Sequence, residues 1–195
     1  MSVVAQVRRL AAVETAPSLT IPRVLAVIVF AAATALGARI GVPIPGTAVP
    51  VTLQTLFVVL SGMLLGPWLG AAAQVTYLAA GLIGAPVFAQ GWSMAALVGP
   101  TGGYLVAFPA AAWLAGRIAG RPRAGATALL RLALAAVLGG VLILASGAAW
   151  LSLFVGGAVP AFAAGVAPFL LGDALKSVLA LLLARAFRRR ILALL

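Results

Sequence analysis

Two residues of opposite charge lie three positions apart in an apolar run near the C-terminal end of the chain. Lys176 is the only lysine, and Asp173 is one of two acidic residues. Residues i and i+3 of a helix project from the same face, so these two side chains can act together. A carboxylate accepts charge-assisted hydrogen bonds from N–H donors, and an ammonium group donates them to anions. The pair can therefore bind a polar ligand, or it can neutralise itself as a structural ion pair.

The surroundings of the pair are those of an integral membrane protein. The chain has 195 residues, of which 65% are hydrophobic and 8% charged, unlike a soluble domain. A helix that spans a bilayer needs about 20 mostly apolar residues. Apolar stretches separated by glycine and proline predict an all-α membrane protein with one domain. Its six predicted transmembrane helices are residues 22–40, 52–65, 68–84, 101–120, 126–155 and 163–187.

Basic residues predict how the chain is oriented. Cytoplasmic flanks of membrane spans collect lysine and arginine. Arginines cluster before the first predicted span, around the connection between the fourth and fifth spans, and near the C-terminus. An even number of spans separates these clusters, so both termini and residues 1–21 are predicted to be cytoplasmic. Arg39, at the outer end of the first span, is expected to snorkel to the lipid headgroups.

The charged pair is predicted to lie deep in the bilayer, in its outer half. Counted back from Arg188 at about 1.5 Å per residue, Lys176 lies roughly 18 Å and Asp173 roughly 22 Å from the cytoplasmic interface. The apolar core is about 30 Å thick, and a charge at that depth costs at least a few kcal/mol unless it faces a pocket, water or a partner. A buried ion pair seldom stabilises a protein more than an apolar pair of similar volume. A polar binding site is therefore favoured over a structural ion pair.

The predicted outer connections supply further candidates, because they carry no charge and are rich in glycine and proline. They are residues 41–51, 85–100 and 156–162. Such loops can close over a pocket. Thr52 and Gln54 lie at the mouth of the second span, where a glutamine serves as a cap, a headgroup contact or a pocket wall. Tyr104, near the outer end of the fourth span, fits either an aromatic interface belt or stacking on a ligand, whereas Tyr77, in mid-span, is predicted to serve packing.

The residue inventory argues against several other classes of protein. The absence of cysteine and histidine excludes disulfides and thiol chemistry and makes a transition-metal site unexpected. Leu175 precedes the only lysine, so the chain has no P-loop, and no Ser–His or Cys–His pair supports nucleophilic catalysis. We expect neither an enzyme nor a cofactor. The formal net charge is +11, but the sequence has no basic face with interleaved aromatic residues. Nucleic acid is therefore not an expected partner.

Small residues at a spacing of four form a stripe on the first predicted span. The stripe pairs Ala31 with Ala35 and Ala33 with Gly37. Such patterns let helices pack closely in lipid. The stripe is interpreted either as a docking face for the helices of a partner or as a consequence of the alanine-rich composition.

Four stretches of the chain carry a family resemblance. They are PIPGTAVPVTLQTLFVVLSGMLLGP (43–67), YLAAGLIGAPVF (77–88), LVGPTGGYLVAF (97–108) and LLGDALKSVLA (170–180). In order, they contain P-x-T-L-Q-T-L, G-P-T-G-G-Y-L and G-D-x-x-K. They resemble the BioY family, the biotin-specific substrate-capture subunits, or S components, of energy-coupling factor (ECF) transporters. The resemblance covers nearly the whole chain after about residue 22 and implies a six-helix bundle whose outer loops close over one vitamin molecule.

The resemblance also implies partners and binding residues. The partners would be biotin, the lipid bilayer, a transmembrane coupling subunit and two ATPase subunits, in a multi-pass protein of the bacterial inner membrane. The candidate ligand-binding residues are Asp173, Lys176, Gln54, Thr52, Tyr104 and Gln90. A lysine suits the carboxylate of biotin and an aspartate suits its ureido N–H donors, but which group meets which residue stays open.

Other functions fit the same residues. One alternative keeps the class and changes the cargo to another vitamin. Another is a stand-alone proton-coupled transporter or facilitator with Asp173 as its proton site, and a third is a structural membrane scaffold. Uptake without the ATPase module would favour the stand-alone transporter. The sequence is also compatible with a homo-oligomer.

Overall fold

The computed structural model describes residues 20–89, 94–121 and 125–195, and these are mostly helical. In chain order the elements are α1 (Ile21–Arg39), β1 (Gly41–Val42), β2 (Val51–Thr52), α2 (Gln54–Leu65), α3 (Pro67–Leu82), α4 (Ala95–Val98), α5 (Gly102–Ala119), α6 (Ala126–Val155), α7 (Ala158–Gly165), a 3-10 turn (Ala167–Phe169) and α8 (Leu170–Leu194). Three helical stretches in the described residues are long and apolar enough to cross a membrane: α1, α6 and the run Ala158–Leu194. Helix α2 is apolar but shorter.

The helix bounds agree with five of the six predicted segments to within two residues at each end. The sixth prediction, 163–187, is wrong at both ends. Helix α7 ends at Gly165, and α8 begins only at Leu170 and continues to Leu194. Pro168 lies in the intervening 3-10 turn, because proline lacks the N–H group that an uninterrupted helix needs and disfavours the helical conformation of the residue before it.

Two of the predicted connections contain regular structure. Within 41–51, strands β1 and β2 pair antiparallel, with Gly41 opposite Thr52 and Val42 opposite Val51. The predicted loop 156–162 is mostly helix α7. Gly156 and Gly157 end α6 with positive φ angles, and Pro160 fits the first turn of α7, where backbone N–H groups have no partner within the helix.

Helix α2 lies at the centre of the fold. It contacts α1, α3, α5, α6 and α8, and ten of its twelve residues are buried. Gly66, with a φ of +87°, is the single residue that links α2 to α3. A Cβ atom at Gly62 would overlap with the carbonyl oxygen of Ala112 on α5, and a Cβ atom at Gly70 on α3 would overlap with the backbone of Gly62. Glycine therefore permits the close packing of α2 with both neighbours.

Buried polar side chains also join α2 to α1 and α3. The Thr34 hydroxyl of α1 donates to the Gln74 Oε1 of α3 at 3.2 Å, and the Gln74 Nε2 donates to the Ser61 Oγ of α2 at 3.1 Å. All three side chains are fully buried. Hydrogen bonds between helices in an apolar environment each contribute about 0.5–2 kcal/mol, so Gln74 connects three helices through its amide group.

We expect Gln74→Leu to destabilise the protein by about 1–2 kcal/mol, because it removes both interhelical hydrogen bonds while keeping an apolar side chain of similar size. Thermal unfolding in detergent, followed by circular dichroism, measures the effect. The control is Thr76→Val on the same helix, since Thr76 is exposed and bonds only the carbonyl of Ala72 within its own helix. Equal midpoints for the two variants would contradict a role for Gln74 in joining the helices.

Candidate functional site

A cavity lies between the β1–β2 hairpin, the adjoining ends of α2, α5 and α8, and the middle of α6. Its empty space measures about 610 Å³, including the part that opens to solvent. Most of its walls are apolar, and three phenylalanines lie among them: Phe88, Phe108 and Phe169. Polar atoms come from Thr52, Gln54, Thr55, Thr101, Tyr104, Asp173 and Lys176. The structure therefore brings five of the six predicted binding residues to one cavity, and the sixth, Gln90, lies outside the described residues.

The ammonium group of Lys176 is the most completely bonded polar group in this cavity. It donates to the Thr55 Oγ1 at 2.8 Å and to the backbone carbonyl of Thr52 at 3.1 Å, and it forms an ion pair with the Asp173 Oδ1. The residue is 8% exposed. A lysine has three N–H donors, and three acceptors surround this one, so its charge is satisfied by the protein itself.

The carboxylate of Asp173 has one bonded oxygen and one open oxygen. Its Oδ1 meets Lys176 and also accepts from the Thr55 hydroxyl at 3.3 Å. Its Oδ2 is buried and has no hydrogen-bond partner among the described residues. A buried polar atom without a partner is uncommon and costly. Asp173 lies in the first turn of α8, where the helix dipole stabilises a negative charge.

Gln54 is held by a chain of hydrogen bonds. Its Oε1 accepts from the Thr52 hydroxyl at 3.0 Å, and its Nε2 donates to the Tyr77 hydroxyl at 2.6 Å. Tyr77 donates in turn to the carbonyl of Val87 at 3.3 Å. Gln54 is buried and lines the cavity, so a contact with lipid headgroups is excluded. The network fixes the amide of Gln54 as part of the cavity wall.

Tyr104 lines the cavity on the side of α5. Its hydroxyl donates to the carbonyl of Gly165 at 2.8 Å, and its ring lies 6.3 Å from that of Phe169. The residue is buried, so it does not belong to an exposed aromatic belt. The bond to Gly165 fixes the end of α7 beside the cavity. Tyr104 lines the cavity, and its hydroxyl already has a partner.

Two polar residues of the cavity, Thr55 and Thr101, are not among the predicted binding residues, and of these Thr55 contacts the charged pair. Its hydroxyl accepts from Lys176 and donates to Asp173, and so it bridges the two charges. It lies one position after Gln54 and three after Thr52, in the first turn of α2. The T-L-Q-T stretch places the Thr55 hydroxyl close to Thr52 and Gln54 in the sequence. No residue near Thr55 in the sequence indicates that α8 packs against this turn.

Part of the small-residue stripe on α1 packs against other helices of the same chain. Ala31 and Gly37 are buried, and a Cβ atom at Gly37 would meet the ring of Phe57 on α2. Ala33 and Ala35 are half-buried. Arg39 is exposed and donates to the carbonyl of Pro86 in the segment after α3, and its snorkelling to the headgroups stays a prediction. A partner helix would therefore reach only Ala33 and Ala35 of the four stripe residues without displacing the chain's own packing.

Known proteins with similar sequences carry a consistent name. Over 99 residues the chain is 48% identical to a protein of Pyrococcus horikoshii described as a probable biotin transporter BioY, a match that covers 50% of this chain and 59% of that protein. Over 92 residues it is 45% identical to the biotin transporter BioY of Thermotoga maritima, covering 47% of this chain and 53% of that protein. The chain thus spans about half the length of the curated relatives it matches.

A solved structure has a similar fold. It is the crystal structure of the S-component for biotin from an ECF-type ABC transporter. The TM-score is 0.75 at 24% sequence identity, over 97% of this chain and 95% of that chain. At this identity the match supports the fold alone.

A family model described as the BioY family matches residues 11–193. The match includes all four stretches that carry the sequence resemblance and every residue that lines the cavity. The chain belongs to the BioY family.

Proposed function

We propose that this chain is the biotin-capture subunit of an ECF-type vitamin transporter. It binds biotin in the cavity between the β1–β2 hairpin and α8, and it releases biotin inward when a coupling subunit and two ATPase subunits act on it. The observation that carries the proposal is the unpartnered Oδ2 of Asp173 in a largely apolar cavity. The names of the BioY relatives and the fold of the biotin S-component support biotin as the cargo.

The contacts of the charged pair favour one orientation of the ligand. Biotin has a ureido ring with two N–H donors, an apolar chain and a terminal carboxylate. The open Oδ2 of Asp173 suits a ureido N–H, because a charge-assisted hydrogen bond would satisfy that buried oxygen. Lys176 would have to release one of its three acceptors to bind the carboxylate. Lys176 therefore serves to hold the Asp173 carboxylate in place, and the apolar walls receive the rings and the chain.

The membrane arrangement that goes with this function has six spans, formed by α1, α2, α3, α5, α6 and α8. The cavity lies at the end of the bundle that the uncharged connections share, and the arginine clusters mark the opposite, cytoplasmic end. Both termini are then cytoplasmic, in a bacterial inner membrane. The half-buried Ala33 and Ala35 of α1 remain candidates for contact with the coupling subunit.

The same open carboxylate oxygen supports a second candidate function. A buried ionisable group inside a membrane protein can carry a proton, so Asp173 would serve a stand-alone proton-coupled biotin transporter. Uptake of labelled biotin into proteoliposomes that contain the chain alone separates the two functions. Uptake driven by a proton gradient supports the stand-alone transporter, and uptake that requires the ATPase module and ATP supports the capture subunit.

The first test is an equilibrium titration of biotin into the purified chain in detergent, by isothermal calorimetry, with thiamin and riboflavin as controls. We expect saturable binding of biotin with one site per chain and none of the other two vitamins. Binding of thiamin or riboflavin instead of biotin would show that the proposed cargo is wrong. Binding of none of the three by a folded chain would contradict the capture function.

Asp173→Asn should weaken biotin binding by about tenfold or more, because a hydrogen bond to a charged acceptor contributes about 1.5–3 kcal/mol. The same titration measures the loss. Ser177→Ala is the control, since Ser177 lies on the same helix next to Lys176 but does not line the cavity. Equal affinities of the Asp173 variant and the control would remove Asp173 from the binding site.

Lys176→Ala should both weaken binding and lower stability by about 3–5 kcal/mol, because it leaves the carboxylate of Asp173 as an uncompensated buried charge. The double variant Lys176→Ala with Asp173→Asn should recover much of that stability without recovering biotin binding. Thermal unfolding and the biotin titration, applied to both variants, test the two effects separately. Restored biotin binding in the double variant would contradict the role given to Asp173.

Thr55→Val tests the bridging residue. Valine keeps the shape of threonine and removes the hydroxyl that joins Lys176 to Asp173, so we expect biotin affinity to fall by about three- to tenfold, as for the loss of one hydrogen bond to a charged group. Thr76→Val, the same substitution on the exposed face of α3, should leave affinity unchanged. An unchanged affinity in both variants would show that the bridge does not position the carboxylate.

A further inference from the structure

A second large groove lies at the opposite end of the bundle from the cavity. It is formed by the end of α5, the beginning of α6 and the last turns of α8, and its empty space measures about 1080 Å³, including the part open to solvent. Its charged lining residues are all arginines: Arg121, Arg131, Arg185, Arg188 and Arg189. No acidic residue is among the described residues that line it. We call it the arginine groove.

The arginines converge on this groove from three separate parts of the chain. Arg121 follows α5, Arg131 lies in the second turn of α6, and the remaining three belong to α8. Arg185 and Arg189 have a spacing of four on one helix, which is destabilising for like charges. The only acidic side chain among the described residues is Asp173, roughly 22 Å from Arg188 along α8. The described part of the chain therefore provides no side-chain counter-ion for this concentration of positive charge.

Arg188 gives the groove a defined geometry, because its side chain is buried and hydrogen-bonded. It is 6% exposed, and it donates to the carbonyl of Met63 at 2.6 Å and to the carbonyl of Gly120. These carbonyls belong to the last turn of α2 and to the residue that caps α5. Arg188 thus fixes α8 against two helix ends, and this contact sets the distance between the groove walls.

The backbone adds to the positive potential of the groove. Helix α6 begins at Ala126, and both Gly125 and Ala126 line the groove. No side chain of the described residues caps this helix end. The N-terminus of a long helix carries a partial positive charge and free N–H groups, so it acts in the same direction as the five arginines.

We propose that the arginine groove binds the headgroup of an anionic phospholipid. A guanidinium group bonds a phosphate through two parallel N–H groups, and basic pockets between transmembrane helices bind acidic lipid headgroups. A lipid is favoured over free phosphate because apolar side chains continue the groove along the outer surface. Leu129 lines the groove and is exposed, and Leu130 and Leu182 are exposed nearby on the same helices. This inference does not depend on the proposed biotin transport.

The test uses the full chain purified in a neutral detergent, with delipidation confirmed by native mass spectrometry. Phosphatidylglycerol, phosphatidylcholine with the same acyl chains, and inorganic phosphate are titrated separately, and bound lipid is counted by native mass spectrometry. We expect one tightly bound phosphatidylglycerol, retained about fivefold or more better than phosphatidylcholine and released by salt. Equal retention of the two lipids would overturn the proposal, and so would saturation by inorganic phosphate without a preference for the lipid.

Two charge-matched double variants locate the binding. The groove variant is Arg131→Gln with Arg185→Gln. The control is Arg117→Gln with Arg190→Gln, which removes two exposed positive charges from the same helices or their neighbours but outside the groove lining. We expect the groove variant to lose about fivefold or more of its phosphatidylglycerol affinity and the control to lose less than about twofold.

Equal losses of phosphatidylglycerol affinity in the two variants would indicate a diffuse attraction between the lipid and surface charge. This outcome would overturn the proposal. Circular dichroism establishes that both variants fold. If the groove variant does not fold, the single variants Arg131→Gln and Arg185→Gln replace it, each compared with Arg190→Gln. The lipid preference of the unmodified chain needs no variant, and its absence would overturn the proposal whether or not the variants fold.

Discussion

The ammonium group of Lys176 is the constraint on which the arrangement of the cavity depends. It is a charge within an apolar bundle, and it is stable there only because an aspartate, a hydroxyl and a backbone carbonyl surround it. One acceptor lies at the end of β2, one in the first turn of α2 and the third on α8. Losing one partner of a buried charge pair costs several kcal/mol. The charge therefore fixes the rotation of α8 relative to α2, and with it the position of Asp173 in the cavity wall.

A second cation fixes the other end of the same pair of helices. Arg188 bonds the last turn of α2, as Lys176 bonds its beginning. The two residues are separated by roughly 18 Å along α8, so α8 cannot tilt away from α2 at one end without breaking a charged contact. At the first anchor the charge is neutralised by Asp173. At the second, the partners of Arg188 among the described residues are carbonyl groups, so its positive charge adds to that of the arginine groove.

The sequence predicts those features that depend on local spacing. Asp173 and Lys176 form their ion pair because i and i+3 share a helix face, and hydropathy locates most helix ends. The role of Thr55 could not be predicted, since it depends on the approach of α8 to α2, which are more than a hundred residues apart. The break at Pro168 was missed because the apolar run continues across it. A pattern of small residues predicts close helix packing, but it does not say whether the packed helix belongs to a partner or to the same chain. Gly37, for example, packs against α2.

The length of α2 bears on how the chain is assembled during synthesis. With twelve residues the helix is roughly 18 Å long, less than the apolar thickness of a bilayer of about 30 Å. It carries Gln54 and Ser61 as well, so partition into lipid as a separate helix is unfavourable. The single residue Gly66 joins it to α3, so in the proposed six-span arrangement the two helices would enter the bilayer together as a hairpin. Three of its other neighbours, α5, α6 and α8, are translated later, so α2 is enclosed only after α8 has been translated.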